Sequence, residues 1–308
     1  MDVRALLIVN PHATTTTQVR RDVIVHALAS ELDLEVVQTR YRGHASSVAE
    51  GAARNGYGLV LTLGGDGTVN EAVNGLLRAC PPPSAPLLAA LPGGNANVFT
   101  RALGLPADPV DATGRILASL AASRTRTVGL GLAGDRYFCF NAGLGLDAEV
   151  VRVVEGVRAR GRTVSPALYV WTAARQFYSV TNRREPALTL ERDGAPAMDA
   201  LFLGIVSNTS PWTYLGQRPV NASPGAGFDT GLDLFALRKL SALRTLNALR
   251  QMLGEAGPAG KYVVNLHDQD TLTFRAARPV AFQVDGEYMG EREHVVLRSI
   301  PNALRVLA

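Results

Sequence analysis

The sequence predicts an α/β protein in which a Rossmann-like N-terminal domain on a parallel sheet precedes an antiparallel β-sandwich. Strand-like and helix-like segments alternate over about the first 125 residues. After Arg126 the texture changes to short apolar strands separated by turn residues. A chain of 308 residues with 47% apolar content can fill a core for each of two domains. The expected boundaries are 1–126 for the first domain, rejoined by a C-terminal return at about 299–308, and 127–298 for the second.

Residues 3–9 (Val-Arg-Ala-Leu-Leu-Ile-Val) form an apolar run that ends at Asn10-Pro11, as a strand buried on both faces would. A helix over 19–30, a strand over 34–39, a helix over 45–55 and a strand over 58–63 continue the alternation. Helix 69–78 stops before Pro81-Pro82-Pro83, whose rings cannot extend it. Strand 87–91 and helices 97–103 and 109–123 follow. This order predicts parallel strands flanked by helices, with ligands at the carboxyl ends of the strands.

In the second half, strands are expected at 127–132, 137–141, 187–192, 200–207, 232–237, 271–276, 280–284 and 294–297. Helices interrupt them at 148–160 and 242–254, and 302–307 reads as the returning strand. Gly129-Leu-Gly-Leu-Ala-Gly134 matches the GxGxxG pattern of dinucleotide sites. Its apolar residues alternate, however, and Gly134-Asp135 leads straight into another strand, so a hairpin is expected instead.

No apolar run approaches the roughly 18–20 residues of a spanning helix, and the apolar start is too short for a secretory signal. Cys80 and Cys139 lie far apart without CxxC spacing, which excludes a zinc finger and a disulfide framework and suits a reducing cytoplasm. The net charge of +4 is concentrated. Between Arg152 and Arg184 stand seven arginines (152, 158, 160, 162, 175, 183 and 184) against Glu155, interleaved with Tyr169, Trp171, Phe177 and Tyr178. A solvated face is the commoner meaning of such a run; contact with anionic lipid headgroups is the alternative. No recognition motif supports nucleic acid.

Residues 64–68, Gly-Gly-Asp-Gly-Thr, sit between a predicted strand and a predicted helix. A glycine-rich turn lets a ligand approach the main chain, and the amides at a helix start favour phosphate. Asp66 inside the turn could hold a magnesium ion bridging phosphates. Thr68 and Glu71 have capping-box spacing, so part of the motif reads as a helix start. No GxxxxGK[ST] accompanies it.

An ordered set of motifs joins that turn. Asn10-Pro11 follows the first strand, Thr39 and Gly43-His44-Ala45 the second, and Gly64-Gly65-Asp66-Gly67-Thr68 with Asn70-Glu71 the third. Leu91-Pro92-Gly93-Gly94-Asn95-Ala96-Asn97 follows the fourth. Gly145-Leu146-Asp147-Ala148 and Asp285-Gly286-Glu287 lie in the second domain. Together they resemble the lipid kinase family built on the diacylglycerol kinase catalytic domain, which includes bacterial diacylglycerol kinases and sphingosine kinases. The Gly-Gly-Asp-Gly-Thr turn alone is shared with NAD kinases.

The resemblance implies ATP in a cleft between the domains, with Gly64, Gly65, Asp66, Gly67, Thr68 and Glu71 on its phosphate side. Asn10, Thr39, Gly94, Asn95 and Asn97 would complete the nucleotide site. Glu287 would be the base on a lipid hydroxyl, oriented by Asp285, with Asp147 facing that hydroxyl. Asp229 resembles the anchor of a structural magnesium, with the carbonyls of Ala226 and Gly231; a plain turn is an equal reading. The chain departs from the family at His12-Ala13-Thr14, at Asn95 in place of threonine and at Val98 in place of aspartate, and Val98 cannot ligand a metal.

The function implied is ATP- and Mg2+-dependent phosphorylation of a lipid, most directly diacylglycerol to phosphatidate. The protein would be cytoplasmic and peripheral on the inner membrane face, without a transmembrane segment or a nucleic-acid partner. A homodimer is an open alternative to a monomer. Two rivals stand beside this reading: a soluble-substrate kinase of the NAD kinase type, and a nucleotide- and lipid-binding sensor without turnover.

Overall fold

The computed structural model describes residues 3–13, 16–159, 175 and 185–308. The chain divides into two units, Met1–Leu130 with Pro301–Ala308, and Gly131–Ile300. The first contains β1 (Arg4–Val9), α1 (Gln18–Ala29), β2 (Asp33–Gln38), α2 (His44–Arg54) and β3 (Leu59–Gly64). It continues with α3 (Asp66–Ala79), β4 (Leu87–Pro92), α4 (Val98–Ala102) and α5 (Pro109–Ala121).

Its strands are parallel in the order β4-β3-β1-β2, with β1 in register with both β2 and β3. The C-terminal segment adds a fifth strand beside β4, pairing Val306 with Leu88, and the Ser119 hydroxyl of α5 donates to the Ala308 carbonyl at 2.9 Å. Every residue of β3 is buried, which is why its sequence is a continuous apolar run. Asp108 caps α5 by accepting from the amides of Val110 and Asp111, and Thr17 caps α1 by accepting from Arg20.

Helix α3 starts at Asp66, three residues earlier than its apolar pattern predicts. Thr68 therefore lies within the helix and the expected capping box does not form. Gly65 is the cap residue, so no side chain of the cap bonds the first amides.

The second unit begins in the course of β5 (Arg126–Ala133), whose end pairs with β6 (Arg136–Phe138) through the Gly134-Asp135 turn, as the alternation at 129–134 predicts. Then come β7 (Asn141–Gly145), α6 (Leu146–Ala159), β8 (Leu188–Arg192), β9 (Ala195–Leu201) and β10 (Leu203–Ser207). They are followed by β11 (Thr213–Leu215), β12 (Arg218–Val220), β13 (Leu232–Leu237), α7 (Ala242–Met252), β14 (Val263–Gln269), β15 (Thr271–Val284) and β16 (Glu287–Val306), whose last residues belong to the first unit.

The antiparallel order is β14-β13-β10-β7-β15-β16. Segments 271–276 and 280–284, expected as separate strands, are one strand, β15, with a register shift between Arg275 and Val280. Pro279 falls in that shift, where a ladder donor is not needed. Before the shift β15 pairs with β8; after it, with β7. The sandwich layers are thus one sheet bent through β15. Between them lies a core that includes Phe138, Leu190, Leu234, Phe274 and Leu297. A second core, with Val150 and Val154 of α6 and Ala248 and Met252 of α7, covers the outer face of β10 and β13.

Candidate active site

Two glycine pairs meet at the carboxyl ends of β3 and β4. The Gly93 amide donates to the Gly64 carbonyl at 2.8 Å. A Cβ on Gly93 would stand 2.9 Å from the Gly64 Cα, and one on Gly94 would stand 2.7 Å from the Gly65 Cα. A Cβ on Gly64 would meet the Thr68 hydroxyl at 2.6 Å. The two turns therefore approach backbone to backbone, at a distance only glycine permits.

Asn97, at φ 48°, holds the second turn. Its Oδ1 accepts from the Gly94 amide at 2.8 Å and its Nδ2 donates to the Gly94 carbonyl at 2.7 Å. Asp66 spans both turns, because its Oδ1 accepts from the Phe99 amide in the first turn of α4 at 3.1 Å. Burial pushes its carboxyl up, opposed by the backbone amides of Phe99 and Val98. Asn95 is exposed beside this junction.

Asn10 joins from β1: its Nδ2 donates to the Thr68 hydroxyl at 3.3 Å, and its Oδ1 accepts from the His12 amide at 2.9 Å. Asn10, Gly64, Gly65, Asp66, Gly67, Thr68, Gly94, Asn95 and Asn97 thus gather around the ends of β1, β3 and β4. Thr39 lies one strand further out, where its amide donates to the Val9 carbonyl and it lines a cavity of about 540 Å³ with Gln38, Arg40 and His44. Glu71 points elsewhere. Its carboxylate accepts from the amides of Gly43 (2.8 Å) and Ala45 (3.1 Å) and caps the start of α2.

In the second unit Gln283 joins Asp147 to the turn that carries Asp285 and Glu287. Asp285 is buried, at φ 47°, and its carboxylate accepts from the amides of Cys139 (2.6 Å), Phe140 (3.0 Å) and Asn141 (3.0 Å). Such a set of donors holds a carboxylate fixed. Gln283, also buried, donates to Asn141 Oδ1 at 2.8 Å and to Asp147 Oδ2 at 2.7 Å, while its Oε1 accepts from the Gly286 amide at 2.9 Å.

Asp147 lies in the first turn of α6, and its carboxylate fills the place a side chain on Gly143 would take. Burial pushes its carboxyl up to about 6, with the Gln283 hydrogen bond opposing. Glu287 forms an ion pair with Arg136 of β6. This arrangement presents a fixed carboxylate (Asp285), an ion-paired one (Glu287) and one that takes a proton near neutrality (Asp147).

Sequence reasoning missed Gln283, Asn141 and Arg136. Gln283, Asp285 and Glu287 are spaced by two at a strand end, a signal that could have drawn Gln283 into the set. Arg136 lies in the hairpin dismissed as a false dinucleotide motif, and no local pattern marks it.

Among residues 226–231, the Thr230 hydroxyl donates to the Gly227 carbonyl at 3.1 Å, the Gly231 amide donates to Asp268 Oδ1 at 2.6 Å, and Asp229 is exposed. Among the described residues no group of three or more His, Cys, Asp and Glu gathers as a metal cage. No described helix is long and apolar enough to cross a membrane. Cys80 and Cys139 are both thiols, in no disulfide. Of the arginine-rich run, Arg160, Arg162, Arg183 and Arg184 lie outside the described residues, as do Tyr169, Trp171, Phe177, Tyr178 and the side chain of Arg158.

Residues 4–132 match the diacylglycerol kinase catalytic domain family. The diacylglycerol kinase of Staphylococcus haemolyticus is 34% identical over 117 residues, 38% of this chain and 33% of that protein, so the chain aligns with about a third of that relative's length. The diacylglycerol kinase of Staphylococcus aureus (strain bovine RF122) is 26% identical over 299 residues, 94% of this chain and 88% of that protein. The crystal structure of a diacylglycerol kinase from Bacillus anthracis superposes with a TM-score of 0.72 at 20% identity, covering 99% of this chain and 96% of that one. An Archaeoglobus fulgidus NAD kinase, solved in complex with ATP, superposes with a TM-score of 0.55 at 12% identity over 99% and 93%. The parallel-sheet core and antiparallel C-terminal part agree with that fold. The motifs from Asn10 to Asn97 thus lie in the segment that matches the diacylglycerol kinase catalytic domain family, and the chain is similar to bacterial diacylglycerol kinases along most of its length.

Proposed function

We propose that the protein is an ATP-dependent lipid kinase that transfers the γ-phosphate to the free hydroxyl of diacylglycerol. The observation that carries this reading is the link through Gln283, which donates to Asp147, a carboxyl pushed up to about 6, and accepts from the Gly286 amide between Asp285 and Glu287. The coarser statement, a kinase of the fold shared by diacylglycerol kinases and NAD kinases, is supported by the family match and by both structural likenesses.

The paired glycine turns allow close main-chain approach and the start of α3 offers its first amides to the nucleotide phosphates, with Asn10, Thr68 and Asn97 setting the shape of the turns. Magnesium fits this chemistry, since it is commonly held by one or two carboxylates together with substrate phosphates and water. Asp66, whose carboxylate accepts from the Phe99 amide, would hold the ion, which would neutralise phosphate charge. In transfer, the lipid hydroxyl oxygen bonds to the γ-phosphorus as the bond to the β–γ bridging oxygen breaks and ADP leaves. Glu287 takes the hydroxyl proton, Arg136 and Asp285 hold its position, and Asp147 faces the acceptor.

The test is transfer from labelled ATP into a total lipid extract, with NAD as the parallel acceptor. Labelled phosphatidate supports the reading, whereas labelled NADP or no product overturns it. Glu287→Gln should abolish transfer while nucleotide affinity persists; retained activity would remove Glu287 from the role of base.

A further inference from the structure

Helix α7 turns Ala248 and Met252 into the core it shares with α6. Three leucines on its other side stay in solvent: Leu243 is 82% exposed, Leu246 65% and Leu249 45%. Spaced by three, they form a stripe along the helix, which is unusual for side chains of this size on a soluble face. The surroundings are cationic. Lys239, Arg244 and Lys261 stand over the Tyr262 ring at 5.6, 4.7 and 5.8 Å. From 238 to 261 the sequence holds five cations against one acid, Glu255.

We propose that α7 is an interfacial membrane-docking helix, with the leucine stripe entering the acyl boundary of an anionic bilayer and the cations around Tyr262 meeting its headgroups. An apolar stripe beside a basic cluster and an amphipathic aromatic is the composition such helices use. A second copy of the chain fits less well. A two-fold contact would bring like-charged clusters together, and the exposed leucine surface amounts to roughly two whole side chains, short of the ~800 Å² each partner gives to a stable interface. In the sequence this segment lies apart from the arginine-rich run at 152–184. It deepens the lipid-kinase reading and rests on it, since α7 shares a core with α6, whose first turn bears Asp147.

The test is flotation of the full-length protein with phosphatidylcholine vesicles, with and without phosphatidylglycerol. Binding to the anionic vesicles is expected to fall on the order of tenfold or more in Leu243→Ser/Leu246→Ser/Leu249→Ser. Arg244→Glu/Lys261→Glu should lower it by about fivefold for each cation removed. Leu246→Trp reads insertion directly, through a blue shift and quenching by brominated acyl chains, whatever the serine variant's stability. Undiminished binding of the serine variant, or no blue shift, overturns the proposal. So does a wild-type dimer that the serine substitutions dissolve without any vesicle binding. Transfer activity in detergent micelles, which need no docking, is measured alongside: its absence with vesicle binding intact would sink the kinase reading and leave the docking face standing.

Discussion

Gly94 and Gly65 lie so close that a Cβ on the first would stand 2.7 Å from the Cα of the second, and the nearest neighbour is backbone that cannot rotate away. Gly94→Ala should therefore push the β3 and β4 turns apart. A loss of about 1–3 kcal/mol in stability is expected, with a larger relative loss of ATP affinity. Thermal melts and nucleotide titration of the folded variant check both. Wild-type affinity for ATP would mean that the contact does not shape the nucleotide site.

Glu71 spans from α3 to the first amides of α2. Glu71→Ala leaves two helix-start donors without their carboxylate and should cost about 1–2 kcal/mol in chemical denaturation. A variant as stable as wild type but unable to bind ATP would assign Glu71 to the nucleotide instead.

Asp285 gathers three backbone amides into one buried carboxylate. Asp285→Ala leaves all three amides without their acceptor and should destabilise the second unit by about 3 kcal/mol or more. Asp285→Asn, which keeps one oxygen, should lose less stability yet still lower the rate of transfer, because Glu287 would no longer be held in place. Equal effects of the two substitutions in unfolding experiments would contradict the anchoring role.

Asp147 makes stability depend on pH. Its folded-state value is about 6 against 3.8 for an unperturbed group, so the folded protein favours the protonated form. That contribution is complete below about pH 4 and is lost as pH rises through 6. Asp147→Asn abolishes the dependence. The variant should match wild type near pH 4 and exceed it by about 3 kcal/mol above pH 7, while losing transfer activity. Parallel Tm–pH curves for the two proteins would refute the shift.

Where apolar period and turn residues agreed, the sequence was legible. The buried run of β3, the hairpin at 129–138 and the antiparallel character of the second half all follow from side-chain spacing. Strand β7 was misplaced because Asn-Ala-Gly-Leu-Gly carries little β-propensity. It is held by its neighbours β10 and β15, and its Gly143 is dictated by Asp147 rather than by the strand. Break and continuity were confused at Pro279, since a bulge and a turn call for the same residue.

The sequence by itself determined the alternation that builds the parallel sheet, the glycine turns at strand ends and the acidic motifs of the second unit. These depend on local spacing, which one chain displays in full. Only tertiary structure decided that Glu71 caps α2, that Arg136 pairs with Glu287, and that Gln283 links Asp147 to the Asp285 turn. Hydrogen bonds and ion pairs between residues 26 to 151 positions apart leave no period in a sequence. A side chain's role there is set by which donor the fold brings within about 3 Å.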